Sequence, residues 1–415
     1  MNLLFINSLY PPHNGGAADL ALQLVIERLQ HRGHRVCVLA TGPTSGLHLD
    51  RVKGIKVYRA GLLNSYWHFS QQRPTALARL GWNLRDRYNA GMGSFVAQVA
   101  EIEQTELVIC HNLAGWSVAV WDAVARLGLP TVQVLHDMYL LCSSASLFKN
   151  QQRCRRQCSL CRHLRDGHAE RSAQVDGVIG MNRFLLERLR DDGFFKGALS
   201  RVIYSTGAHG EDNVVRLPQG RLTDGEPLRF GYLGTLSEPK GVGWLIDQFQ
   251  RLPLAATLHI AGRGQAHYER ELRRQARDNP NIHFAGQQSA ESFYAHIDVA
   301  VVPSVWDEPQ VVGAVHACAQ SVPVIASQRG GLPEIIHEGE NGLLCEPDDA
   351  DSLGRAMQRL VDEPALRQSL ASQARASVAP LLDVERMVDS YQQFFLEVLL
   401  KRGVRQAITS VALPS

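Results

Sequence analysis

Two apolar runs, Val299 to Val302 and Val322 to Ala326, are each short enough to be a buried parallel strand, and what lies between them restricts the fold sharply. First comes an acidic turn, Trp306, Asp307, Glu308 and Pro309, and then a small-residue helical pattern from Val311 to Ala319. After the second run stand Gly330-Gly331 and then Pro333-Glu334, which reads as the opening of another helix. Strand, polar turn, helix, strand is the layout that brings ligand-binding groups to the carboxyl edge of a parallel sheet. The unpaired N–H groups at the start of the following helix favour an anion there.

The same alternation runs through both halves of the 415-residue chain. Strands are predicted at Leu3 to Ile6, Arg35 to Ala40, Lys56 to Arg59, Leu107 to Cys110, Thr131 to Leu135, Gly177 to Gly180 and Val202 to Tyr204, with helices over Gly16 to Gln30 and Trp116 to Arg126. A polar segment with Gly220 and Gly225 interrupts the pattern, and a second series begins at Arg229 to Leu233. It continues through a helix over Val242 to Phe249, strands Thr257 to Ala261 and Ile282 to Ala285, and the region described above. The expected organisation is a first α/β domain over 1–215, a linker over 216–227 and a second α/β domain over 228–380. A long amphipathic helix from Leu381 to Leu400 and a tail complete it, to 415. Two such halves predict two facing Rossmann-like domains, with a ligand in the cleft between them.

With 45% hydrophobic and 20% charged residues the composition is that of an ordinary globular protein. A net charge of +2 argues against a dedicated nucleic-acid binder. No apolar run reaches membrane-spanning length and the first residues do not read as a secretory signal, so the expectation is a cytoplasmic chain, free or peripheral on the inner face of a membrane.

The wording of the C-terminal half closely resembles the donor-site signature of retaining GT-B glycosyltransferases of the family-4 kind. Glu308-Pro309, Pro323-Val324-Ile325-Ala326, Gly330-Gly331, Pro333-Glu334 and Asn341-Gly342-Leu343-Leu344 match that signature, while Gln310 and Val311 replace its Phe-Gly pair. His316 stands where a second glutamate is usual. The resemblance implies a GT-B fold whose C-terminal helix crosses back to the first domain. It also implies transfer of a hexose from a nucleotide-diphosphate sugar to a glycan or lipid-linked acceptor, as in cell-surface polysaccharide synthesis, without a catalytic metal. Glu308 would then act on the donor sugar, assisted by the backbone of Pro309, Gln310 and Val311, and His316 would take the nucleotide ribose.

Departure of a diphosphate requires cations or N–H groups where negative charge grows. Gly15 and Gly16 precede the first helix, where backbone approaches a phosphate closely, and Lys240 precedes another helix; both match diphosphate-binding positions of the family. The family's Arg a few residues before that Lys is missing, because the chain reads Gly234-Thr235-Leu236, and Arg263 at the next strand end is the substitute candidate. In the first domain His136 ends a predicted strand and begins His136-Asp137. It matches the family's histidine that touches the donor sugar, with Asp137 and His111 as further candidates on the acceptor side.

Cys154, Cys158 and Cys161, with Cys142 upstream, form a cluster unlike the four single cysteines elsewhere. The spacing suits a structural zinc, less well an iron–sulfur cluster, and equally a surface loop of reduced thiols. The same loop carries Lys149, Arg153, Arg155, Arg156, Arg162, His163, Arg165, His168 and Arg171, which reads either as a surface for anionic membrane or as a solvated face. Two competing functional classes stand beside the transferase: a non-catalytic GT-B scaffold, suggested by the missing Arg and His316, and a metal enzyme built on the cysteines.

Overall fold

The computed structural model describes residues 1–415 apart from 14–15, 70–73, 205–225, 253–254 and 404–415. The described residues fall into two compact units. One lies within Met1–Ser146, Arg156–Ala208 and Glu385–Ser415, the other within Leu147–Arg155 and His209–Val384. Most of the expected linker, 216–225, lies outside the described residues.

In chain order the strands are β1 (Asn2–Asn7), β2 (Arg35–Gly42), β3 (Leu47–Val52), β4 (Ile55–Gly61), β5 (Leu107–Cys110) and β6 (Thr131–Leu135). There follow the short β7 (Phe148–Lys149) and β8 (Gln152–Arg153), then β9 (Gly177–Gly180) and β10 (Leu199–Val202). The last six are β11 (Leu228–Leu233), β12 (Ala256–Ala261), β13 (Ile282–Gly286), β14 (Val299–Val302), β15 (Val324–Ser327) and β16 (Gly342–Cys345). The first unit has an eight-stranded sheet ordered β10-β9-β6-β5-β1-β2-β4-β3, parallel throughout except for β3, which runs antiparallel to β4 at the edge. The second has an all-parallel sheet ordered β13-β12-β11-β14-β15-β16. Both sheets are Rossmann-like, and in each the order reverses once, between β1 and β5 and between β11 and β14. These reversals are the switch points outside whose carboxyl ends ligands bind in open α/β sheets.

The central strands are buried on both faces, which is why they read as continuous apolar runs. Gln133 is the large polar exception in β6. Its amide donates to the carbonyl oxygens of His111 and Val134 (2.8 and 2.9 Å) and accepts from the Trp121 indole N–H (3.1 Å), so the polar group is satisfied. The edge strand β3, LHLDRV, escapes sequence reading because its four central residues, His48 to Arg51, are exposed and include the charged Asp50 and Arg51, as suits an edge that must not recruit further strands.

The C-terminal helix, Val384–Lys401, buries Met387, Val388, Tyr391, Phe394, Phe395, Val398 and Leu399, one stripe at helical period. From Glu385 on it belongs to the first unit. Phe395 meets Phe5 of β1 edge-on at 6.4 Å. Gly177 of β9 lies so close beneath Val398 that a Cβ there would stand 2.6 Å from its Cγ2. Ion pairs from Arg32 to Glu385 and Asp389 (2.6 Å each), and from Arg201 to Glu397 (2.9 Å), lock the margins. Truncating the fully buried ring, Phe395→Ala, is expected to cost about 3–5 kcal/mol through lost burial and the cavity left behind. Urea denaturation followed by circular dichroism should register this as a lower midpoint.

Candidate functional site

The most completely built polar site of the second unit lies at its switch point. The loop after β11 makes one 3-10 turn, Glu238–Lys240, and closes on Gly241 at φ 71°. A Cβ on Gly241 would lie 1.8 Å from the Pro303 carbonyl oxygen, so only glycine allows this loop to meet the one after β14. The Val305 N–H donates to the Pro239 carbonyl (2.9 Å) and completes the junction. The two loops bring Lys240 to Glu308.

Glu308 is 2% exposed, and its Oε2 accepts from Lys240 Nζ (2.7 Å), Ser304 Oγ (2.8 Å) and the Trp306 indole N–H (3.1 Å). Lys240 Nζ also lies 5.4 Å from the centroid of the Trp306 ring. A buried carboxylate with one ammonium and two neutral donors is charge-matched and held in one orientation. The backbone is held as firmly: the Gly331 N–H donates to the Glu308 carbonyl (2.9 Å). Gly330, at φ 58°, lies against the Glu308 backbone, where a Cβ would stand 2.3 Å from both its N and its O. The Gly-Gly pair of the signature is therefore a mould for the glutamate turn.

The remaining predicted residues of this unit are placed as follows. Pro309 and Val311 are buried and Gln310 is half-buried, leading into the helix Val312–Ala319, on which His316 is half-buried. The segment from Pro333 departs from expectation. Leu332–Glu334 forms a single 3-10 turn rather than the start of a helix, so no helix terminus is available there for an anion. Asn341 is structural: its side chain donates to the Ile335 carbonyl and Ser377 Oγ (2.8 Å each) and accepts from the His337 N–H (2.8 Å). Arg263 stands beyond β12 with its side chain 64% exposed and 3.7 Å from Glu269, while its carbonyl accepts from the Leu236 N–H (2.8 Å).

In the first unit, β5 and β6 end at His111 and His136. His111 Nδ1 and His136 Nε2 lie 2.8 Å apart with the rings stacked, so one nitrogen donates and the other accepts. Burial lowers the His136 pKa to about 4 and that of His111 well below its usual value, so the pair is neutral at pH 7. Asp137 accepts from the Tyr139 N–H (2.8 Å), and burial raises its pKa to about 6. These residues line one small cavity with Asn112, Leu113 and Leu140. On the other side of the switch point the Asn7 amide donates to the Leu9 carbonyl and Asp19 (2.7 and 2.8 Å), and its oxygen accepts from the Asn112 N–H (3.0 Å), tying the two loops together. Gly16 opens the helix Ala17–His31 with φ 155°; Gly15 lies outside the described residues.

The cysteine loop is drawn together in part. The Cys142 and Cys161 thiols are buried and 3.8 Å apart, and the Cys158 sulfur accepts from the Cys161 N–H at 3.5 Å. Cys154 is half-buried and its N–H donates to the Leu147 carbonyl (2.6 Å). Among the described residues no group of three or more His, Cys, Asp or Glu is arranged to hold a metal ion. The basic residues are not all at the surface. Arg165 is buried, donates to the Tyr139 carbonyl (2.9 Å) and lies 3.8 Å from Asp86, while His168 is fully buried and Arg171 pairs with Asp122. Lys149, Arg155, Arg156, Arg162 and His163 remain exposed.

Sequence reasoning missed the supporting residues. Ser304 and Trp306 flank the signature closely enough to have been suspected. Arg153, whose guanidinium lies 3.3 Å from Asp307, and the buried Arg329 carried no local signal of their role.

Two parallel sheets with loop sites at their switch points define a protein of GT-B type. Residues 15–203 match the family model described as glycosyl transferase 4-like domain, and residues 227–363 match glycosyl transferases group 1. The chain belongs to this glycosyltransferase family. It is 25% identical over 355 residues to an uncharacterized 42.6 kDa protein in the cps region of Klebsiella pneumoniae, spanning 85% of this chain and 92% of that relative. It is 31% identical to the lipopolysaccharide core biosynthesis glycosyltransferase LpsE of Rhizobium meliloti over 225 residues, 53% of this chain and 64% of the relative. The solved structure of Anabaena HepE in complex with UDP-glucose shares the fold, with TM-score 0.68, 20% identity and coverage of 96% of this chain and 100% of that one. Among the described residues no helix is long and apolar enough to cross a membrane.

The histidine pair generates a pH prediction. His136 stays neutral in the folded state down to about pH 4, whereas the unfolded chain takes up that proton near 6.5. Its stabilising contribution is present above pH 6.5 and is lost as pH falls from 6.5 to 4; Asp137, with its raised pKa, opposes part of that loss. His136→Asn should therefore lose less stability than the parent across this window, measured as the slope of Tm against pH.

Proposed function

We propose that the chain is a retaining glycosyltransferase that moves a hexose from a nucleotide-diphosphate sugar to a glycan or lipid-linked acceptor in the synthesis of a cell-surface polysaccharide. The observation that carries this reading is the Glu308 carboxylate, held by Lys240, Ser304 and Trp306 at the switch point of the second sheet. A fixed carboxylate suits a sugar twice over: it orients hydroxyls in the ground state and stabilises positive charge on an oxocarbenium-like transition state. Lys240 spends one ammonium N–H on Glu308 and keeps two for the departing diphosphate. One side chain thus couples sugar position to leaving-group charge, and the cation of the phosphate site needs no metal.

The acceptor attacks on the face from which the diphosphate leaves, and the leaving phosphate oxygen takes the acceptor proton. His136 contributes to holding the donor sugar; a neutral imidazole can donate to a hydroxyl without bringing a second positive charge to a cationic transition state. Asp137 and His111 belong to the acceptor side, and His316 to the ribose. UDP is the favoured nucleotide because HepE, of the same fold, binds UDP-glucose. The polysaccharide context is supported by the relatives in lipopolysaccharide synthesis and in a cps region.

Purified protein incubated with UDP-, GDP- and ADP-hexoses should release nucleotide diphosphate from at least one, and a product retaining the donor's anomeric configuration by NMR establishes the stereochemistry. Glu308→Gln preserves size and removes the charge, so kcat should fall by about 10²-fold with little change in nucleotide binding. Wild-type turnover in that variant would sink the assignment. Lys240→Ala should weaken nucleotide-diphosphate binding about tenfold or more by calorimetry; an unchanged Kd removes Lys240 from the phosphate site.

A further inference from the structure

Nine residues, Leu147–Arg155, interrupt the sequence of the first unit and belong to the second. They form a hairpin in which Phe148 pairs with Arg153 and Lys149 with Gln152. Its two-residue loop, Asn150 and Gln151, has φ of 52° and 58°, the positive values that a type I′ turn requires. An isolated two-stranded hairpin is marginal at best, so this one depends on what it docks against.

Its anchor is Arg153. The guanidinium lies 3.3 Å from Asp307 and 3.6 Å from Asp348, and Arg155 lies 3.2 Å from the same Asp348. Asp307 is 5% exposed and adjoins Glu308 in the chain. Asp348, which follows β16, also lies 3.0 Å from Arg329, whose side chain is 3% exposed and pairs with Glu346 as well. Arg329 immediately precedes Gly330, the glycine moulded to the Glu308 backbone. Three guanidiniums thus face three carboxylates, and the network grips the glutamate turn at Asp307 and at Gly330. None of its members is a hydrogen-bond partner of the Glu308 carboxylate, which is served by Lys240, Ser304 and Trp306.

We propose that Arg153 is a positioning residue for Glu308: it fixes the buried Asp307 and thereby the aim of the neighbouring carboxylate. Without the guanidinium, Asp307 is a buried charge lacking its counter-ion, and it relaxes by swinging toward water and carrying the turn with it. A planar fork can serve two carboxylates at once, which a lysine ammonium does less well. The inference rests on the reading of Glu308 as the residue that acts on the donor sugar.

The test uses the full-length chain, UDP-glucose turnover, UDP binding by calorimetry, and hydrogen–deuterium exchange. Arg153→Ala should lower kcat tenfold or more while the UDP Kd stays within twofold, since Lys240 is untouched, and Arg153→Lys should recover part of the loss. Asp307→Asn should show the same defect, and the double variant should be no worse than the worse single, because both remove one link. Exchange over residues 303–311 should quicken several-fold in Arg153→Ala, a readout that needs no turnover and no knowledge of the true donor. Should Arg153→Ala not fold, Arg153→Gln at wild-type Tm carries the same expectations. A kcat within twofold of wild type, multiplicative losses in the double variant, or unchanged exchange over 303–311 each overturns the proposal. Glu308→Gln run in parallel separates the failures. If it is inactive while Arg153→Ala is not, only the positioning role is lost; if it turns over normally, the reading of Glu308 itself is wrong.

Discussion

The pairing of a buried carboxylate with one ammonium, Glu308 with Lys240 at 2.7 Å, is the constraint around which the second unit is arranged. A charge so placed is stable only if its partner and neutral donors arrive with good geometry. That demand explains features which would otherwise look unrelated. Gly241 must be glycine so that the lysine loop can meet the carbonyl of Pro303, and Gly330 must be glycine so that its loop can lie on the glutamate backbone. Ser304 and Trp306 supply the neutral donors from the same turn. The parallel sheet adds what the loops cannot: the adjacency of β11 and β14, far apart in sequence but paired at Phe230 with Val299 and Gly231 with Ala300.

The first unit meets a corresponding requirement with neutral groups. Its switch-point loops are joined by Asn7, which hydrogen-bonds to Leu9, Asp19 and Asn112, and its strand ends carry two neutral histidines in contact. Burial holds both imidazoles uncharged, and it raises the carboxyl pKa values of Asp137 to about 6 and Asp86 to about 7.

Where sequence reasoning failed, the causes are specific. The helix expected from Trp116 starts only at Ala119, because the Trp116 indole is committed to the Asn7 carbonyl (2.9 Å) and Ser117 adopts φ 62°. The C-terminal helix starts after a break at Asp383 rather than at Leu381, and the segment before it belongs to a separate helix, Pro364–Leu382. Strand β3 has no buried face, and the turn at Pro333 shows that a helix-opening dipeptide does not ensure a helix. In the basic loop, charge alone does not reveal which residues have partners. Arg165 is spent on Tyr139 and Asp86, and Arg153 on Asp307 and Asp348.

By itself the sequence determined the alternation of strand and helix, the apolar strands of both sheets, and the signature around Glu308 with its glycines and Lys240. These are local patterns, set by side-chain period and by turn residues that few alternatives can replace. Only the tertiary structure decided which groups meet: that Lys240 closes on Glu308, that His111 touches His136, and that a hairpin from the cysteine loop reaches Asp307. Each of these contacts joins residues between 25 and 154 positions apart in the chain. Long-range contacts depend on how strands order themselves in a sheet and on which buried charges must find a counter-ion. Neither is written in any one stretch of residues.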